Sequence, residues 1–211
     1  MRKTYIFGFI FVIFLVFIDL FVFFFLPNFP LRDVFLATRE QNPLTWISSV
    51  ALFLIALFSF HTYWESREKI WWAVAFLFTF FSIDDAIYFH ERLSGIVVSK
   101  NEWLSFFPTY IWILFYLPAL SLAFGFLGFQ LWNSHIKKIR KYTLIAFFLL
   151  GIALILDILD GIVLKDETLV FCLNAFCEET IVHSIRLCEE IFEAISLGIF
   201  GICLISKNMR K

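Results

Sequence analysis

Six apolar stretches alternate along the chain with polar connections, at residues 5–26, 44–64, 71–91, 108–132, 143–164 and 184–206. A run of about 20 apolar residues crosses the hydrocarbon layer as a helix, and backbone polar groups inside that layer have to be satisfied within each segment. The pattern predicts an all-α fold: a single domain over 1–211, built as a polytopic membrane bundle of six transmembrane helices. The breaks agree with it. Pro27 and Pro30 close the first stretch, and Asn42-Pro43 with Thr45 supplies a cap and a first-turn proline for the second. Pro118 is expected to kink the fourth helix, and Ser121 with Gly125 to let a neighbouring helix come close. The first stretch follows Arg2 and Lys3, yet its apolar run is about twice a signal-peptide core and lacks a small-residue cleavage site, so it is expected to be retained.

Composition identifies the solvent. The chain is 61% hydrophobic and 17% charged with a mean hydropathy of +0.86, whereas a water-soluble domain is about half apolar and a quarter charged. Lipid is therefore the expected surroundings. A formal net charge of -1 with no basic stripe gives no footing for nucleic acid, and 31 Phe exclude a disordered chain.

Charge then orients the bundle. Eleven of the 17 Lys and Arg, at Arg2, Lys3, Arg67, Lys69, Lys137, Lys138, Arg140, Lys141, Lys207, Arg210 and Lys211, fall on one side, in termini and short connections. The positive-inside rule makes that side cytoplasmic and puts both termini inside, in what is read as a cell inner membrane. Of the 18 Asp and Glu only Glu65 and Glu68 share that side, so the inner half carries +9 and the outer half -10.

Outer loops do not account for all of these acids, because several lie inside spans. Asp19, Asp84 and Asp157 each sit seven residues before the outer end of a span, with Asp160 one turn nearer the surface. Glu189, Glu190 and Glu193 enter the last span from the same side. At 1.5 Å per residue this layer is roughly 8–14 Å deep. A carboxylate at such depth costs about 2.5–3.5 kcal/mol, so these acids are expected to face a polar interior, share protons or hold cations. With about 100° per residue, Asp84, Tyr88 and Glu91 share one helix face with Asp85 at its edge, and His183, Arg186, Glu189, Glu190 and Glu193 fall within an arc of about 120°.

Three uses compete. Carboxylate clusters with one or two histidines are the ligand set of di-iron and di-manganese helix bundles. Here Asp84, Asp85, His90, Glu91, Asp157, Asp160, His183, Glu189, Glu190 and Glu193 are the candidate metal residues, supported by Asp19, Tyr88 and Arg186. The expected cofactor is one or two divalent metals, Fe, Mn or Zn, although the Glu-x-x-His pair of those bundles is missing. If the protein is an enzyme, metal-activated water or dioxygen would act on a lipid or other amphiphile from the outer leaflet. The second use is a path for protons or cations through Asp19, Asp84, Asp157 and Glu193. The third is an ion-pair network in which Arg92 and Arg186 tie helices together; two arginines cannot pair eight acids. The partners these readings imply are membrane lipid and a small amphiphilic substrate or cation.

The remaining signals are smaller. His61 and Glu65 form a helix-end pair one turn apart, and Cys172 and Cys177 are spaced for a bridge above the acidic layer if the outside is oxidising.

Taken together, Leu31-Arg32-Asp33-Val34-Phe35 through Glu40-Gln41-Asn42-Pro43-Leu44-Thr45-Trp46-Ile47-Ser48-Ser49, then Ser82-Ile83-Asp84-Asp85-Ala86-Ile87-Tyr88-Phe89-His90-Glu91-Arg92-Leu93, and Glu189-Glu190-Ile191-Phe192-Glu193 give the chain its character. It resembles a group of small, uncharacterised bacterial multi-span membrane proteins with an acidic pair followed by His-Glu in one span and Glu-Glu-x-x-Glu in the last. That resemblance implies Asp84, Asp85, His90, Glu91, Glu189, Glu190 and Glu193 as the site and names no activity.

Overall fold

The structure, a computed structural model, describes residues 2–37, 42–87, 89, 112–133, 136–165 and 175–208. Every regular element among them is helical. Six long helices, α1 (Arg2–Phe25), α3 (Pro43–Ser66), α4 (Lys69–Ile87), α5 (Trp112–Trp132), α6 (Lys137–Lys165) and α7 (Ala175–Asn208), are joined by one short helix, α2 (Arg32–Phe35). Three segments, Pro43–Ser66, Lys69–Ile87 and Lys137–Asp160, are long and apolar enough to cross a membrane. The last helix begins nine residues before its expected start, because polar residues through 183 continue the turn instead of ending it.

The start of α3 follows the expected logic. Asn42 Oδ1 accepts from the Leu44 and Thr45 amides at 2.8 and 3.0 Å, which satisfies two of the donors a helix leaves open at its first turn. Pro43 occupies the position where a missing N–H costs nothing. The helix ends at Arg67, which takes φ 60°, donates its amide to the Tyr63 carbonyl at 2.7 Å and folds its guanidinium over the Trp64 ring.

The polarity of the molecule is the inverse of a water-soluble one. Phe17, Phe76, Leu122, Phe129 and Phe148 are each more than 60% exposed, while Asp19, Asn42, Ser48, Asp84, Asp160 and His183 are buried. Water does not stabilise so large an apolar exterior. Along α3 the buried positions Leu44, Thr45, Ser48, Ser49, Leu52, Ile55, Ala56 and Ser59 form one stripe, and its small members allow close approach of neighbouring helices. Helix α7 is the hub, packing mainly on α3 and α6, with α4 held against α3.

The apolar core fills one half of the bundle. Phe78 and Phe124 meet edge to face with ring centroids 5.0 Å apart, and Phe147 does the same with Phe200 at 5.0 Å; Ile55, Leu127, Leu131 and Leu204 complete this half. The acidic ends of α4 and α6 and the first half of α7 lie in the other half.

One expectation needs correction. No atom of a neighbouring element lies within 4 Å of where a Cβ would stand at Gly125, so this is not the close approach. The contact comes one turn later, at Gly128, where a Cβ would overlap the ring of Phe147. Spacing alone signals that small residues are present, not which of them faces the partner. Because Phe147 is pinned against Phe200, Gly128→Ala is expected to cost about 1–3 kcal/mol, whereas Gly125→Ala is expected to be neutral. Thermal unfolding of both variants in detergent checks this, and equal effects would refute the assignment.

Candidate functional site

At the polar half of the bundle, α3 to α7 surround a cavity of about 450 Å³. Its wall carries six carboxylates: Asp84 and Asp85 from α4, Asp157 from α6, and Glu189, Glu190 and Glu193 from α7. Its floor and sides are apolar, with Leu52, Phe81, Phe124, Phe147 and Leu197. The sequence therefore brings acids from three separate helices to one space.

Glu190, Asp85 and Asp84 are positioned by neutral donors on other helices or their caps. Glu190 Oε1 accepts from Thr45 Oγ1 at 2.7 Å and from Asn42 Nδ2 at 3.1 Å, and Asn42 Nδ2 also donates to Thr45 Oγ1 at 2.8 Å. The residues that cap α3 thus hold an acid of α7, and the partly positive N-terminal end of α3 faces that carboxylate. Ser49, one turn further along α3, donates to Asp85 Oδ2 at 2.5 Å. Ser82 in turn donates to the Ser49 carbonyl at 2.8 Å, which fixes α4 against α3 at this level. Tyr116 of α5 donates to Asp84 Oδ1 at 3.0 Å.

Charge in the cavity is lopsided. Glu193 is repelled by Asp85, Glu190 and Asp157, and Glu189 by Asp157, Glu193, Glu190 and Asp160. No lysine or arginine stands among the described wall residues. Arg186 lies outside the wall with its Nε 3.0 Å from Asp160 Oδ2, and from there its charge also attracts Glu190. Glu190 Oε2 is buried and has no hydrogen-bond partner among the described residues. Negative groups at this spacing in a water-poor space require cations or protons between them.

Two of the expected site residues form a separate unit. His183 Nε2 lies 2.8 Å from Asp19 Oδ2, both side chains are 2% exposed, and neither lines the cavity. The Ala37 amide donates to Asp19 Oδ1 at 2.7 Å, so the pair ties α1 and the segment after α2 to α7. The His183 imidazole stacks flat on Phe23, with ring centroids 4.0 Å apart and planes 2° apart, and the Arg32 guanidinium stands over the Phe23 ring, 5.7 Å from its centroid.

The expected site divides accordingly. Asp84, Asp85, Asp157, Glu189, Glu190 and Glu193 line one cavity; Asp160 and Arg186 pair beside it; Asp19 and His183 pair apart from it. Tyr88, His90 and Glu91 lie outside the described residues, as do Arg92, Cys172 and Cys177. Among the described residues no three His, Cys, Asp or Glu side chains stand ready-made as a metal-ligand group. His61 and Glu65 form the helix-end pair at 3.8 Å, away from the cavity. The sequence does not mark Asn42, Thr45, Ser49 and Tyr116 as donors to these acids. Asn42 and Thr45 carried only a capping signal, while Ser49, one turn after Thr45, and Tyr116, a phenol within an apolar span, were the available hints.

A family described as a domain of unknown function, DUF8692, matches residues 6–206. No curated protein and no solved structure matches the chain.

The division of labour is testable at His183. His183→Gln is expected to lower thermal stability by about 1–3 kcal/mol, the usual cost of leaving a buried polar group without its partner, and to leave cation binding by the cavity unchanged. A loss of cation binding at full stability would show instead that His183 serves the site.

Proposed function

Since the chain belongs to the DUF8692 family, whose description carries no activity, we propose a function from the cavity itself: a multi-pass inner-membrane protein that binds cations in a carboxylate site within the outer leaflet. Six transmembrane helices with both termini in the cytoplasm agree with the separation of basic and acidic residues along the sequence. The observation that carries the reading is the convergence of six carboxylates from α4, α6 and α7 on one cavity whose described wall has no basic residue.

The cation proposed first is a divalent metal, one or two per chain. With His183 engaged by Asp19, the described donors are all oxygens, and carboxylate oxygen suits hard ions. Within the expected Fe, Mn and Zn this favours Mn, with Mg and Ca as further candidates. Asp85, Asp157, Glu189 and Glu193 would hold it, while Glu190 and Asp84 are oriented by Thr45, Asn42 and Tyr116. Such an ion supplies charge neutralisation and a Lewis acid. Transport is the weaker reading, because Phe78, Leu127, Leu131, Phe200 and Leu204 fill the bundle below the cavity.

Protein purified without chelator is expected to carry one or two equivalents of divalent metal. Glu193→Gln and Asp157→Asn should each lower that content at least tenfold with folding retained. Absence of stoichiometric Mn, Fe, Zn, Mg and Ca would overturn the metal proposal. A cation flux in proteoliposomes that Asp84→Asn abolishes would replace it with transport.

A further inference from the structure

A bare ion leaves most of this cavity unexplained. One water occupies about 30 Å³ of liquid, so 450 Å³ is the space of many waters, and it falls within the range of pockets for small organic ligands. Its two ends differ in chemistry. One carries the carboxylates; the other is lined by Leu120, Phe124, Phe147, Leu150 and Leu154, which offer no polar partner to ordered water.

The apolar end is also where two helices part. Helices α5 and α6 meet at Gly128 and Phe147. One turn toward the acidic end, a Cβ on Gly125 or on Gly151 would meet nothing within 4 Å. Ser121 and Gly125 line the cavity and are nevertheless exposed, and Leu117, also on its wall, is 39% exposed. Pro118 lies within this stretch of α5, where its ring and missing amide break the regular ladder. The cavity is thus open at its flank, between two helices whose outer surfaces, at Leu122, Phe129 and Phe148, are strongly apolar and exposed.

We infer that this flank admits a single-chain membrane amphiphile with a primary ammonium head, whose alkyl chain lies against Leu120, Phe124, Phe147 and Leu150 while its head meets the carboxylates of α4, α6 and α7. The inference rests on the cation reading above and names the class of cation. An anionic head is repelled by six acids and finds no lysine or arginine on the described wall. A head bearing N–H groups answers a further feature of the site: Glu190 Oε2 is buried with no hydrogen-bond partner among the described residues, and an ammonium supplies it with a charge-assisted donor. A quaternary head lacks that donor. The chain reaches the cavity from the bilayer, so neither the head nor the tail has to pass through water.

The test uses the full chain in nanodiscs of zwitterionic lipid, with radiolabelled dodecylammonium as probe and empty nanodiscs as the partition baseline. The expected result is saturable binding of one dodecylammonium per chain, with methylammonium, which has the head alone, and dodecanol, which has the tail alone, each at least tenfold weaker. Gly125→Leu and Gly151→Leu, which project a side chain into the open flank, should each weaken dodecylammonium at least tenfold. Gly125→Ala and Gly151→Ala control for folding and should unfold at the parent's temperature, as should the leucine variants. Equal binding of methylammonium and dodecylammonium, or unchanged binding in both leucine variants, would overturn the inference. Metal content measured on the same samples separates the two readings: metal without dodecylammonium binding sinks the amphiphile and leaves the metal site, whereas loss of both removes the cation reading as well.

Discussion

Negative charge in a medium that cannot solvate it is the constraint from which the rest of this structure follows. A carboxylate at membrane depth is tolerated when it turns inward and finds donors, cations or protons. Six carboxylates on three helices turn toward the same space here, and satisfying them dictates how the helices meet. The cap of α3 serves an acid of α7, Ser49 of α3 serves an acid of α4, and Tyr116 brings in α5. Bonds of this kind fix register between helices that lipid gives little hydrophobic reason to associate.

Two other acids stand beside basic side chains of the protein's own. Asp160 takes Arg186, and Asp19 takes His183 within a stack of Phe23 and the imidazole. These contacts have the character of fasteners: they join α6 and α1 to α7. Among the cavity acids, Asp84, Asp85 and Glu190 accept from neutral hydroxyl and amide donors, and the Arg186 charge also draws on Glu190 from beside the wall. Neutral donors orient a carboxylate without cancelling its charge, and the difference between the two kinds of partner separates the site from its scaffold. Below the site the aromatic packing of Phe78, Phe124, Phe147 and Phe200 closes the bundle, so the polar space is blind at that end.

Much of this was legible in the residue pattern. The period of apolar runs located the long helices, Asn42-Pro43 marked the start of α3, and the shared depth of Asp84, Asp157, Glu189, Glu190 and Glu193 anticipated their meeting. Depth and angle are local properties of a helix, readable from residue number. What pairs with what is not local. His183 shares a helix arc with Glu190, yet it stands two turns nearer the start of α7, where the neighbour on that face is Asp19 of α1 and not the cavity. Ser121 and Gly125 looked like a contact surface because small residues permit one; whether a neighbour comes close depends on the packing of Phe147 at Gly128. Hydroxyl partners such as Ser49 and Tyr116 were invisible for the same reason, since a lone polar residue in a span announces itself only when its acceptor on another helix is known.

Acids distant in sequence share one cavity, and the most direct measurement of this is proximity between α6 and α7 at the cavity wall. In full-length protein with Cys172, Cys177, Cys188 and Cys203 replaced by serine, cysteines at Asp157 and Glu193 should be joined by a short bis-maleimide in the membrane. A cysteine pair at Phe148 and Glu193, of which Phe148 faces outward, should not be joined. Failure of the first pair to link in folded protein, or linkage of both pairs alike, would contradict the account.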